Sequence, residues 1–265
     1  MIFGGLDRAV FETLNALAGR SWALDSLIAL ALDNVVVKAG PIGACFLFAW
    51  YRGGDAAESA RRRRILLVTL LSLLLIAPLT KALSESRLSP RPLVLAEQGY
   101  VLRGGALEEA PRARFRTMQT GQAKQRVEAL HEGRLEANDL ATFPSDHAAL
   151  FVALALGILL ACRRAGTIAL GWALVVALGS RVAAGMHWPL DIAAGALVGG
   201  AMLGALQFAF AGRRARLLSP LVRRAELYPG VTAALLFLAL VEVANVMQTL
   251  NAVQELGSAM AGRLP

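Results

Sequence analysis

The chain has 265 residues, 56% of them hydrophobic and 17% charged, with a mean hydropathy of +0.54. That composition is too apolar for an ordinary soluble domain and predicts a membrane protein. The net charge of +8 would suggest nucleic acid in a soluble chain. Here the arginines fall in short clusters between apolar runs and read as topology signals, so no nucleic-acid partner is expected.

In chain order, Asp7 and Glu12 interrupt the start, which argues against a signal peptide. Phe3, Leu6, Val10, Leu14 and Leu17 recur at helical spacing opposite Asp7, Arg8, Glu12 and Asn15, predicting an amphipathic helix at the membrane surface. Residues 24–33 extend the first span or form a separate surface helix, because Asp33 and Lys38 interrupt the run. Apolar segments at 35–51, 65–83, 147–163, 166–184 and 190–211 predict transmembrane helices. A further segment at 229–249, carrying Glu242 and Asn245, predicts an additional C-terminal one. Several uncharged cores are near 16 residues, short of the roughly 20 that a bilayer needs, and reach that length only with the polar residues at one end. The fold class is all-α, a polytopic membrane helix bundle of about six transmembrane helices forming one domain over 1–265. The two cysteines, Cys45 and Cys162, suggest neither a disulfide framework nor a metal site.

Arginine-rich segments at 51–64, 162–166 and 211–226 fall on one side if the spans alternate, and the positive-inside rule makes that side cytoplasmic. The other side holds the turn around 181–190 and a long segment, 85–146, with an insertion at about 96–140 that forms a surface helix after Gly121 or stays partly mobile. Trp50 and Trp188 read as interface anchors, and His131 as a solvated loop residue.

Three polar patches gather on that outer side: "TKALSESRLSPRP" (80–92), "FPSDH" (143–147) and "SRVAAGMHWPLD" (180–191). In the last, Pro189 suits the first position of a helix, leaving Trp188 near the N-cap and Asp191 in the first turn. The carboxylate can then reach back to His187, fixing its tautomer and supporting the cation formed as it reacts. Arg181, across the turn, can hold an anion in front of it. Ser145 reads as an N-cap, and the amides behind it make an anion-attracting helix start. His147 is then placed to give a proton to a departing oxygen. Arg91 and Lys81 can bind phosphate oxygens, Arg91 bidentately. Taken singly, each residue has a plainer reading: Ser145 as a cap, His147 as an interfacial histidine, Asp191 as a dipole partner, Arg91 as a juxtamembrane arginine and Lys81 as a snorkelling side chain. Their combination carries the weight, because two of the chain's three histidines stand at these thresholds on one face.

"PSDH" and "SRVAAGMHWPLD" resemble the second and third signatures of the type 2 phosphatidic acid phosphatase (PAP2) superfamily. The third fits S-R-x5-H-x3-D without adjustment. The second usually reads P-S-G-H, and the Asp146 form resembles bacterial undecaprenyl pyrophosphate phosphatases. The first usually reads K-x6-R-P; here nine residues separate Lys81 from Arg91-Pro92, and Arg87 is the other basic residue available. The resemblance covers about residues 5–225. It implies a metal-independent reaction without a cofactor, in which His187 attacks the terminal phosphorus with Asp191 orienting it. His147 then protonates the leaving oxygen, and Arg91, Arg181, Ser145 and Lys81 stabilise charged oxygens. The implied partners are the bilayer and a polyprenyl or other lipid phosphate, with undecaprenyl pyrophosphate the leading substrate. The implied location is a bacterial cytoplasmic membrane, with the site facing outward. A phosphatidate, phosphatidylglycerophosphate or lipid A phosphatase, or a lipid phosphotransferase, is the alternative, and a non-catalytic lipid carrier is a further one.

Overall fold

A computed structural model of the chain describes residues 5–86, 88–98, 100–103, 106–109 and 115–246. Helix α1 (Gly5–Asn15) is followed by α2 (Trp22–Asp33), whose cap Ser21 accepts a hydrogen bond from the Leu24 amide at 3.2 Å. Asn34 ends α2 and caps α3 (Val35–Tyr51), accepting from Val37 N at 3.0 Å. Its extended backbone separates the two helices, which meet at 57°. Residues 24–33 therefore lie in their own helix, bent from α3 at Asn34, and the two together are long and apolar enough for one broken span. Asp55 caps the long α4 (Ala56–Glu85). The outer segment contributes α5 (Pro92–Gln98), a two-stranded antiparallel hairpin of β1 (Tyr100–Arg103) and β2 (Ala106–Glu109), α6 (Gly121–His131) and the single-turn α7 (Ala137–Leu140). Helix α6 is the helix expected after Gly121, and His131 ends it exposed.

The bundle continues with α8 (Asp146–Ala161) and then a span made of α9 (Arg163–Trp172), a π turn (Ala173–Leu178) and α10 (Gly179–Ala183). Next come α11 (Pro189–Ala209), a 3-10 stretch (Gly212–Leu218), α12 (Ser219–Leu227) and α13 (Pro229–Ala244). All six expected spans are helical where described; positions 247–249 of the last lie outside the described residues. Three helices are long and apolar enough to cross a bilayer alone, 56–85, 163–183 and 189–209, and the bent pairs 22–51 and 212–244 bring the number to five. The all-α membrane bundle is thus as expected; the hairpin is its one pair of strands among the described residues.

Helix α8 has 16 residues, about 24 Å at the helical rise, against roughly 30 Å of bilayer hydrocarbon. Its position resolves the mismatch, because it packs among α3, α4, α9 and α11, with Leu150, Phe151, Ala153 and Ile158 fully buried. A helix sheathed by other helices need not match the lipid thickness with its own apolar length. Two glycines of α11 allow the tightest of these contacts. A Cβ on Gly195 would lie 2.2 Å from the Ser145 carbonyl oxygen, and one on Gly199 would lie 2.1 Å from that of Ala149. Without a hydrophobic force between helices in lipid, such backbone approach is what holds them together.

At one end of the bundle the three arginine-rich segments meet: Arg63 pairs with Glu226, and Arg52 donates to the Cys162 sulfur at 3.3 Å. That convergence agrees with their placement on a common side.

Two expectations need correction. Trp50 and Trp188 are not interface anchors, since both are buried: Trp50 stacks on Phe46 within the core, while Trp188 packs on Phe11 and donates Nε1–H to the Pro90 carbonyl at 3.1 Å. Helix α1 does form, but it is docked on the protein as well as amphipathic. Phe11 and Asn15 are buried against α10 and the start of α11, with Asn15 donating to Ala183 O at 2.8 Å, while Leu6 and Val10 stay exposed. Phe3 lies outside the described residues.

Candidate active site

The end of the bundle that carries the three polar patches encloses a cavity of about 830 Å3. Helix α4 lines it with Lys81, Ser84 and Glu85, α8 with Asp146, His147 and Leu150, α10 with Arg181, and the turn before α11 with His187. Arg91 enters from the loop after α4, and Lys38 from α3. Of the residues singled out in the sequence, His147, His187, Arg91, Arg181 and Lys81 thus face one space. Arg87 lies outside the described residues.

Pro189 opens α11, and Trp188 precedes it with extended backbone, as its ring constraint dictates. Asp191 is fully buried; its Oδ2 accepts from the Trp188 amide at 3.0 Å and lies 3.5 Å from His187 Nδ1. His187 is 7% exposed, and neither its Nδ1 nor Asp191 Oδ1 has a hydrogen-bond partner among the described residues. The pair is therefore adjacent but slack, a geometry that a bound anion can tighten. Arg181, also buried, donates to the Ala177 carbonyl at 2.7 Å. It stands in the short helix that follows the π turn, whose extra residue per turn changes the angular position of everything after it.

Ser145 is fully buried and does not line the cavity. Its hydroxyl accepts from Ala148 N at 3.4 Å, capping α8, and its amide donates to the Asp191 carbonyl at 3.1 Å. That last bond ties the start of α8 to the start of α11, and so fixes the two histidine-bearing helix ends to each other.

A partner missing from the sequence reading is Asp146. Its Oδ1 lies 2.8 Å from His147 Nδ1 and accepts from the His147 amide at 2.6 Å. His147 therefore does have an orienting carboxylate, its own neighbour. The aspartate in the usual glycine position of P-S-G-H was the available signal. Lys38 was missed as well, having been read only as an interruption of an apolar run.

Arg91 is braced by the outer segment. Its amide donates to the Asp139 carbonyl at 2.9 Å, its Nε donates to Asn138 O at 3.2 Å and lies 3.5 Å from Asp139 Oδ1. Arg126 of α6 grips the same carboxylate, donating from Nε at 2.9 Å. Burial pushes the Arg91 pKa down, and Asp139 and Asp146 pull it back up. The loop also forms an isolated bridge with the segment leading into α8: Ser89 N donates to Leu140 O at 2.6 Å, and Thr142 N to Ser89 O at 3.1 Å.

Donor atoms of Asp146, His147 and His187 lie within 4.8 Å of one another, and two imidazoles with a carboxylate are a set that can hold a transition-metal ion. The same spacing can accommodate a phosphoryl group between the rings, and four basic side chains (Lys38, Lys81, Arg91 and Arg181) share the cavity wall.

The PAP2 superfamily model matches residues 63–214, more than half of the chain, and that span contains all three polar patches. Searches of curated proteins and of solved structures returned no match.

Proposed function

Because this chain belongs to the PAP2 superfamily of membrane lipid phosphatases, we propose that it hydrolyses undecaprenyl pyrophosphate to undecaprenyl phosphate through a phosphohistidine. The observation that carries this reading is the convergence of two carboxylate-paired histidines and three basic side chains, Lys81, Arg91 and Arg181, on one cavity. The cavity lies at the ends of apolar helices, where a lipid tail can stay in the bilayer while its phosphates enter the protein.

In the first step, the His187 ring nitrogen remote from Asp191 attacks the terminal phosphorus, while Asp191 stabilises the positive charge on the ring through Nδ1. The P–O bond to the bridging oxygen breaks, and the electron pair leaves with the lipid monophosphate. His147, held by Asp146, gives that oxygen its proton. His147, now neutral, then takes a proton from water as the water attacks the phosphohistidine. The P–N bond breaks, inorganic phosphate leaves and His187 is restored. Arg91 and Arg181 neutralise the equatorial oxygens, with Lys81 adding a further charge and the backbone at Ser145 holding the two helix starts in place. In a phosphoryl transfer of this type, positioning and charge neutralisation supply most of the acceleration. The positive charge comes from side chains, which supports a metal-independent reaction.

An outward-facing site would return the carrier lipid after envelope polymers are assembled, in the inner membrane of a bacterium. The test is phosphate release by the purified protein in detergent from undecaprenyl pyrophosphate, phosphatidate, phosphatidylglycerophosphate and lipid A. The reading requires the highest kcat/KM on the diphosphate; a clear preference for phosphatidate would overturn it.

A further inference from the structure

Helix α3 is a membrane span, yet Lys38 within it is only 8% exposed. A buried ammonium is costly unless something compensates it. No described residue forms a hydrogen bond or salt bridge with this one. The charges that act on it are Arg181, Asp33 and Asp146. Each carboxylate is partly engaged elsewhere: Asp33 Oδ2 accepts from Gln122 N at 3.0 Å, while its Oδ1 has no hydrogen-bond partner among the described residues, and Asp146 Oδ1 holds His147 at 2.8 Å. Arg181 adds repulsion. The side chain nevertheless lines the cavity. A cation on the cavity wall with no side-chain partner of its own is placed to take an anion that arrives with the substrate.

Its position says which anion. Lys38 belongs to α3, which packs against α8, the helix that opens on Asp146 and His147, and it lines the cavity with both, so it stands on the leaving-group side of the site. With the terminal phosphate at His187 and the bridging oxygen at His147, the next group along the substrate is the phosphate that remains on the lipid. A lipid monophosphate has no charged group there. We propose, on the reading above, that Lys38 binds this retained phosphate and makes the site selective for diphosphates. Residue 38 lies outside the 63–214 superfamily match.

The test uses the full-length protein in detergent, with farnesyl diphosphate and farnesyl monophosphate as substrates. A hydrogen bond between charged groups corresponds to about 10- to 100-fold in affinity. Lys38→Met should lower the ratio of kcat/KM for diphosphate over monophosphate by about that factor, with a smaller loss on the monophosphate. Lys38→Arg should recover most of the ratio. Calorimetry with methylenediphosphonate and orthophosphate should show the same differential loss of binding in Lys38→Met. Equal losses on both ligands, or none, would overturn the assignment. A parent protein that releases phosphate from neither lipid would overturn the phosphatase reading instead, and the binding comparison would still decide the role of Lys38.

Discussion

Substituting Gly195 by Ala tests whether the contact between α8 and α11 sets the catalytic geometry. The new Cβ would lie 2.2 Å from the Ser145 carbonyl oxygen and 3.0 Å from the Ala148 Cβ, whereas ordinary contact begins near 3.4 Å. Relief therefore requires the helices to part by up to 1.2 Å at that level, the difference between 3.4 and 2.2 Å. Neither contacting atom can swing aside, since one is backbone and the other a methyl group fixed to it. The separation would strain the bond from Ser145 N to Asp191 O, now 3.1 Å, and move His147 away from His187. A misplacement of about 1 Å in a positioned site costs on the order of 100-fold in rate. The folding penalty should be about 1–3 kcal/mol, typical of overpacking, and the variant should remain a folded membrane protein. Phosphate release and thermal unfolding should be measured side by side, with Gly204→Ala as control because nothing lies within 4 Å of its Cβ position. Gly195→Ala should lose about 100-fold in kcat/KM with a modest fall in Tm, and Gly204→Ala should match the parent. Full activity in Gly195→Ala would refute the argument that this contact sets the spacing of the histidines.

Asp146→Asn should reduce turnover of a lipid diphosphate by about 100-fold, because His147 loses the carboxylate that orients it; an activated aryl phosphate, which needs little protonation on leaving, should suffer less. Asp139→Asn should weaken vanadate inhibition several-fold, since Arg91 loses its brace, whereas an unchanged inhibition constant would make that carboxylate irrelevant to the site. Activity should survive exhaustive chelation, while added zinc should inhibit reversibly by occupying Asp146, His147 and His187; a strict magnesium requirement would contradict the mechanism. Gly133→Cys should react with an impermeant thiol reagent in intact cells and Gly53→Cys should not, and the reverse pattern would invert the orientation.

The parts legible in the sequence were those governed by local rules. Apolar runs mark the helices, and Ser145 and Pro189 mark the starts of α8 and α11, because capping is decided within a few residues. The spacing from His187 to Asp191 was readable for the same reason: four residues across a helix start bring the side chains to the same face. What needed tertiary structure stayed hidden. Lys38 breaks an apolar run and reads as a flaw until α3 is packed beside α8. The bracing of Arg91 by Asp139 and Arg126 joins residues 35 and 48 positions apart along a polar segment with no repeat to betray it. The π turn before Arg181 has no composition signal, since "ALVVAL" is ordinary helical sequence. The two tryptophans illustrate the converse error: a residue type common at interfaces was buried here by Phe46 and Phe11, partners that no spacing rule connects to them.

The most direct test of the central claim is rapid-quench capture of a phosphoenzyme, using lipid diphosphate labelled on its terminal phosphate. The account predicts an acid-labile, base-stable phosphoenzyme on His187, absent in His187→Gln. In His147→Gln it should form slowly from the lipid and more readily from an activated aryl phosphate. Label recovered undiminished in His187→Gln, or attached to His147 in the parent, would contradict it.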